Sequence, residues 1–204
     1  MIEEFNHEGL TIKIDYADFS ESPREWDNLG TMVCFHMKYS LGDSHNFALT
    51  GTWEKVKKDI IKTNGTSFIL PLYLYDHSGI TIRTTAFQDR WDSMQVGFIF
   101  VSKKEARKVY GPLGKATIKK VFEVLESEVK TYDQYLRNDI FWYGVYRGEE
   151  LIDSCSGFYD LDEARNEAID YANIEIEKME RERPTREREA LEAAGQLAFN
   201  FEEN

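Results

Sequence analysis

Phe68-Ile69-Leu70-Pro71-Leu72-Tyr73-Leu74-Tyr75-Asp76-His77-Ser78-Gly79-Ile80-Thr81-Ile82-Arg83-Thr84-Thr85 decides the fold class. Residues 68–75 and 79–85 are rich in aromatic and β-branched side chains, which suit a pleated strand, and Asp76-His77-Ser78-Gly79 between them is turn chemistry. The stretch is an antiparallel hairpin. Beyond it, Val96 to Val101 reads as a buried strand, and Ser102 with Glu105 three residues on reads as the capping box of a short helix, 103–110. Residues 116–137 space Ile118, Val121, Phe122, Leu125, Val129, Tyr132 and Leu136 by threes and fours, the stripe of a long amphipathic helix. That stripe is expected to pack on a sheet containing Phe98, Phe100 and Tyr143.

Further outward, Leu10 to Tyr16 alternates with a period of two, and Thr31 to His36 reads as a second strand. Trp53, Val56, Ile60 and Ile61 form the apolar stripe of a helix over 52–63, which Asn64-Gly65 ends. On the C-terminal side, strands 140–146 and 151–156 are joined by Arg147-Gly148-Glu149-Glu150. Asp160 and Glu163 then cap a helix whose stripe runs Leu161, Ala164, Ala168, Tyr171 and Ala172. The spacing predicts that this helix stops at Pro184, with a short helix at about 185–194 and a tail from Gly195 to Asn204. The expected fold is α+β: a mixed, mainly antiparallel sheet with helices packed on one side, plus an acidic C-terminal helix and tail. One domain is expected over residues 1–183, with 184–204 a charged helical extension and tail.

The 204 residues are 42% hydrophobic and 14% aromatic, which excludes a disordered acidic chain. Charge is unevenly placed. Residues 1–50 hold 9 acids and 3 bases, 51–110 hold 6 and 10, 111–150 hold 7 and 6, and 151–204 hold 15 and 6. A chain of net charge −12 disfavours general nucleic-acid binding, although Lys55, Lys57, Lys58, Lys62, Lys103, Lys104, Arg107 and Lys108 are gathered on two short helices. No apolar run approaches the roughly 20 residues of a membrane span, and the first residues have neither the basic flank nor the apolar run of a signal peptide. A soluble, cytoplasmic protein with no membrane partner is expected, and Cys34 and Cys155 are expected to be reduced.

No arrangement of residues presents a catalytic motif, and no cofactor or metal is implied. His36, Asp43 and His45 are close in sequence, and Asp76-His77 could join them around a divalent ion. Against that, neither histidines at helical ligand spacing nor paired cysteines occur, and both segments also read as turns. Arg90-Trp91-Asp92, leading into the strand at 96, reads either as a recognition surface or as a loop pinned by Trp91 packing. The densest acid lies on the C-terminal helix, where Asp162, Glu163, Glu167, Asp170, Glu175, Glu177 and Glu180 are candidate partner contacts. At the tail, Gln196-Leu197-Ala198-Phe199-Asn200-Phe201 resembles the bacterial sliding-clamp-binding peptide, with Phe199 where leucine is usual. Gln196, Leu197, Phe199 and Phe201 would supply its contacts.

Three phrases together resemble a protein family of bacteriophages and other bacterial mobile elements. They are Ile14-Asp15-Tyr16-Ala17-Asp18-Phe19-Ser20-Glu21-Ser22-Pro23-Arg24-Glu25-Trp26-Asp27-Asn28-Leu29-Gly30, Leu72-Tyr73-Leu74-Tyr75-Asp76-His77-Ser78-Gly79, and Trp91-Asp92-Ser93-Met94-Gln95-Val96-Gly97-Phe98-Ile99. The resemblance spans roughly residues 10–160 and brings no established activity. It implies a small accessory protein made inside an infected bacterial cell. Two partner classes are expected from these readings. One is a host defence nuclease, RNA-guided or restriction type, inhibited by an acidic surface that mimics nucleic acid. The other is the sliding clamp, reached through the tail. A metal-dependent hydrolase acting on nucleotides or nucleic acid is the minor alternative.

Overall fold

The structure, a computed structural model, describes residues 1–18, 21–65, 67–89 and 91–202, with side chains described up to Arg183 except that of Ser67. In chain order the elements are β1 (Glu3–His7), β2 (Leu10–Tyr16), β3 (Thr31–Cys34), α1 (Trp53–Asn64), β4 (Ser67–Asp76) and β5 (Ile80–Arg83). They continue with β6 (Ser93–Ser102), α2 (Lys103–Tyr110), α3 (Lys115–Leu136), β7 (Phe141–Arg147), β8 (Glu150–Phe158) and α4 (Leu161–Glu202). The α+β class is as the sequence predicts. The strands form two antiparallel sheets, ordered β1-β2-β7-β8 and β3-β6-β4-β5, and the chain divides into two compact units. Residues 19–139 form one unit, inserted between the two parts of the other, residues 1–18 and 140–204.

In the split unit, Leu10, Ile12 and Ile14 of β2 and Phe141, Tyr143 and Val145 of β7 are buried with Ala164, Ala168 and Ala172 of α4. Three alanines in register let the helix backbone come close to the sheet, and the large side chains come from the strands. β1 is not evident in the sequence, because Phe5 is the one large apolar residue in Glu3–His7. It forms because Glu8-Gly9, with φ of +50° and +94°, makes the two-residue turn that returns the chain antiparallel along β2. α4 continues through Pro184 to Glu202, which corrects the expected stop and separate short helix. Proline costs an interior helix about 3 kcal/mol, and the strong helix formers Glu, Arg and Ala around it offset that cost.

In the inserted unit the expected hairpin is β4 and β5, paired from Tyr73–Arg83 to Asp76–Ile80. Pro71 is tolerated in β4 because β5 does not extend that far, so the strand has a free edge there. β6 lies between β3 and β4, and its alternation sends successive residues to opposite faces. Ile99 and Val101 lie with Met32, Leu72 and Leu74 in the core shared with Val121, Leu125 and Val129 of α3. Phe98 and Phe100 lie in a second core with Val56 and Ile60 of α1. The expected packing of α3 on Phe98, Phe100 and Tyr143 is thereby corrected: the first two belong to the opposite face of this sheet, and Tyr143 belongs to the other unit. Helices therefore cover both faces of the inserted sheet. Gly97 permits its close pairing, since a Cβ there would stand 1.9 Å from the Val33 carbonyl oxygen.

Candidate functional site

The acidic face of α4 begins at its cap. The Asp160 carboxylate accepts from the backbone N–H groups of Asp162 (2.9 Å) and Glu163 (3.0 Å), satisfying donors that the first turn leaves free. With Ala164, Ala168 and Ala172 committed to the sheet, Glu163, Glu167, Asp170, Ile174 and Glu177 follow one another by four and three along an exposed flank. At 1.5 Å per residue they span about 21 Å. All five are exposed, Ile174 by 66%. Glu163, Glu167 and Asp170 make no ion pair with any described residue, and Glu177 pairs with Arg181 at 3.0 Å.

The other nominated acids of α4 have different fates. Glu175 is mostly buried and bridges Arg147 at 2.7 Å, with Lys178 at 3.4 Å, tying the helix to β7. Asp162 pairs with Arg165, whose Nε also donates to Glu3 of β1 at 2.8 Å. That hydrogen bond holds the Glu3 carboxyl below its ordinary range. Glu180 is exposed but lies off the stripe.

The inserted unit carries a cleft of about 770 Å³. Its wall is the loop of residues 35–52, and Trp53, Met94 and Gln95 complete it. Two histidines have their proton positions set by neighbours. His36 Nδ1 accepts from the N–H groups of Lys38 (3.3 Å) and Tyr39 (3.1 Å), so Nε2 carries the proton. His45 Nε2 donates to the Cys34 carbonyl at 2.9 Å, leaving Nδ1 a buried acceptor without a partner among the described residues. His36 stacks on Tyr39 at 5.0 Å, and His45 meets Phe35 edge-on at 4.9 Å.

One rim of the cleft leads to the Trp91 loop. The Tyr39 hydroxyl donates to Asp76 at 3.1 Å, and Lys38 Nζ lies 3.6 Å from the same carboxylate. The Asp76 N–H donates to the Asp92 carbonyl at 2.9 Å, and His77 Nδ1 stands 3.1 Å from the Asp92 carboxylate. Trp91 is 96% exposed, which overturns the pinned-by-packing reading. The loop is held instead by Asp89, which accepts from the Trp91 N–H at 2.8 Å, and by Asp92. Arg90 lies outside the described residues. So do the side chains of Gln196, Leu197, Phe199 and Phe201, which fall in the last turns of α4.

Asp43 lines the same cleft as His36 and His45, but its carboxylate is taken up by other partners. Its carboxylate takes Arg24 Nε and Nη2, both at 2.8 Å, and the Met32 N–H at 2.7 Å. Arg24 Nη1 reaches Glu128 of α3 at 3.1 Å, and Nη2 also donates to the Gly30 carbonyl at 2.6 Å. Glu128 in turn accepts from the Leu29 N–H at 2.8 Å and the Gly30 N–H at 3.1 Å. The Pro23–Gly30 phrase is therefore the clasp of a largely shielded ion network. Among the described residues no group of three or more His, Cys, Asp and Glu side chains is placed to hold a metal ion. The Cys34 thiol is pushed up to about 12, by burial first and by the Asp43 carboxylate second, so it is neutral at physiological pH. Cys155 is a free, exposed thiol.

No described helix is long and apolar enough to cross a membrane. Comparison with protein-family models, with curated proteins and with solved structures finds no match for this chain.

Proposed function

We propose that this protein is a non-catalytic accessory inhibitor whose acidic α4 face occupies the cationic nucleic-acid channel of a bacterial defence nuclease. The observation that carries the reading is the row Glu163, Glu167 and Asp170: exposed carboxylates on one helix face with no ion-pair partner among the described residues. Acids that serve the fold are neutralised, as Glu175 is by Arg147 at 2.7 Å. Acids left bare add mutual repulsion of a few tenths of a kcal/mol per neighbouring pair, a cost the fold does not recover. A channel lined with Lys and Arg recovers it, because such a channel concentrates negative charge. Ile174 in the middle of the row adds an apolar contact that nucleic-acid backbones lack.

Over about 21 Å, one strand of B-DNA presents roughly six phosphates, at 3.4 Å each. The helix face presents four carboxylates over the same length. Its binding should therefore weaken with salt, though less steeply than that of DNA. The test is plasmid cleavage by purified bacterial RNA-guided and restriction nucleases, with and without this protein. A variant with Glu163, Glu167, Asp170 and Glu177 all changed to Lys should lose inhibition by at least a hundredfold. Undiminished inhibition by that variant would overturn the reading. If deletion of residues 195–204 abolishes activity instead, the binding surface is the Gln196–Phe201 pattern and the sliding clamp becomes the partner to test.

A further inference from the structure

We infer that the cleft walled by residues 35–52 is a binding site for a flat aromatic anion, independent of the α4 face. A connection this long without helix or strand is uncommon in a compact unit and is usually a binding loop. The cleft is open to solvent, and its volume of about 770 Å³ falls within the roughly 300–1,000 Å³ of small-molecule sites. Its walls are mainly apolar and aromatic, and several of them face solvent: Leu49 is 48% exposed and Met94 56%. Such surfaces favour a ring system that displaces water from them.

The polar groups define the other half of the ligand. His36 Nε2–H is a donor with its tautomer set by two backbone N–H groups, and it has no partner among the described residues. Two residues on, Lys38 Nζ lies 4.6 Å above the Tyr39 ring and 3.6 Å from Asp76. Asp76 shares its carboxylate with the Tyr39 hydroxyl, so it positions the ammonium while leaving donors free. Two donors on one turn, beside a stacked His36–Tyr39 platform, suit an anionic substituent on an aromatic ring. The unmet Nδ1 of His45 leaves the same wall incompletely satisfied.

The probe is 8-anilinonaphthalene-1-sulfonate, compared with N-phenyl-1-naphthylamine, which has the same rings and no sulfonate. The full chain should bind the sulfonate saturably at one site, about tenfold more tightly than the neutral amine. Lys38→Met, at an exposed side chain, should remove most of that preference, and His36→Phe the remainder. Leu49→Glu combined with Met94→Glu, both at exposed positions, should weaken both probes at least tenfold without changing the circular dichroism or the melting temperature. Three results would each overturn the inference: no saturable binding, equal affinity for the two probes, or unchanged binding by the Leu49→Glu/Met94→Glu protein.

Discussion

The two units use the same residue types in opposite ways. In residues 19–139, Asp43 and Glu128 turn inward onto Arg24, whose side chain is only 5% exposed, and nearly every polar atom of that network is matched. In the split unit, the core under α4 is built from alanine against large strand residues, and Glu163, Glu167 and Asp170 of the helix are exposed without an ion-pair partner among the described residues. Acid content alone therefore does not mark function. A carboxylate with a cation and backbone N–H groups around it holds the fold. A row of exposed carboxylates with no cation beside it is not held in that way.

The largest effect that could break this comparison is at Arg24. Arg24→Met takes the cation from Asp43 and Glu128, which keep only backbone N–H partners, and should cost about 2–4 kcal/mol in denaturant unfolding, somewhat less than removing one partner of a fully buried pair does. A loss below 1 kcal/mol would mean that the network is decorative. A smaller effect is expected at the alanine row. Ala168, fully buried, leaves no room for a larger side chain, so Ala168→Leu should cost about 1–3 kcal/mol by forcing helix and sheet apart. A neutral outcome would show that α4 is not seated closely on β2 and β7.

Smaller again is the alkaline behaviour of Cys34. Its folded-state pKa is raised from 9.0 to about 12, so above pH 9 the unfolded thiol ionises while the folded one keeps its proton. Stability contributed by this group is thus present below pH 9 and falls as pH rises, by about 1 kcal/mol between pH 9 and 10. Cys34→Ala should remove that slope. At pH 8 a thiol reagent should modify Cys155 quickly and Cys34 only on unfolding; rapid modification of both would contradict the burial.

The hairpin at 68–85, the stripe of α3 and the caps of α2 and α4 were legible in the sequence because each is a local pattern of period or turn chemistry. What was not legible is pairing at a distance. Nothing local shows that Phe98 and Ile99 face different helices, or that β2 pairs with β7 across an inserted unit. Arg24 and Glu128 are 104 residues apart, so the phrase around Arg24 is conspicuous in the sequence while its structural purpose is hidden. At the acidic helix the sequence marks seven acids alike. Only the structure separates Glu175 and Asp162, which are neutralised by arginines, from Glu163, Glu167 and Asp170. The cleft was not legible because its histidines, read by spacing, suggested a metal, while the long aperiodic segment over residues 35–52 carries no helix or strand period that would place its side chains.

Whether the exposed acids of α4 serve the fold can be measured without a partner. Glu163, Glu167, Asp170 and Glu177 are changed together to Lys, and the denaturant unfolding free energy is measured beside that of the unmodified protein. If these acids are surplus to the fold, the variant should unfold within about 2 kcal/mol of the original, since exposed charges contribute little, the loss of the Glu177–Arg181 pair is minor, and a charge reversal at Glu163 in the first turn of α4 costs about 1 kcal/mol against the helix dipole. A loss of 3 kcal/mol or more, comparable to that expected for Arg24→Met, would show that the α4 face holds the fold together and is not a surface kept free for a partner.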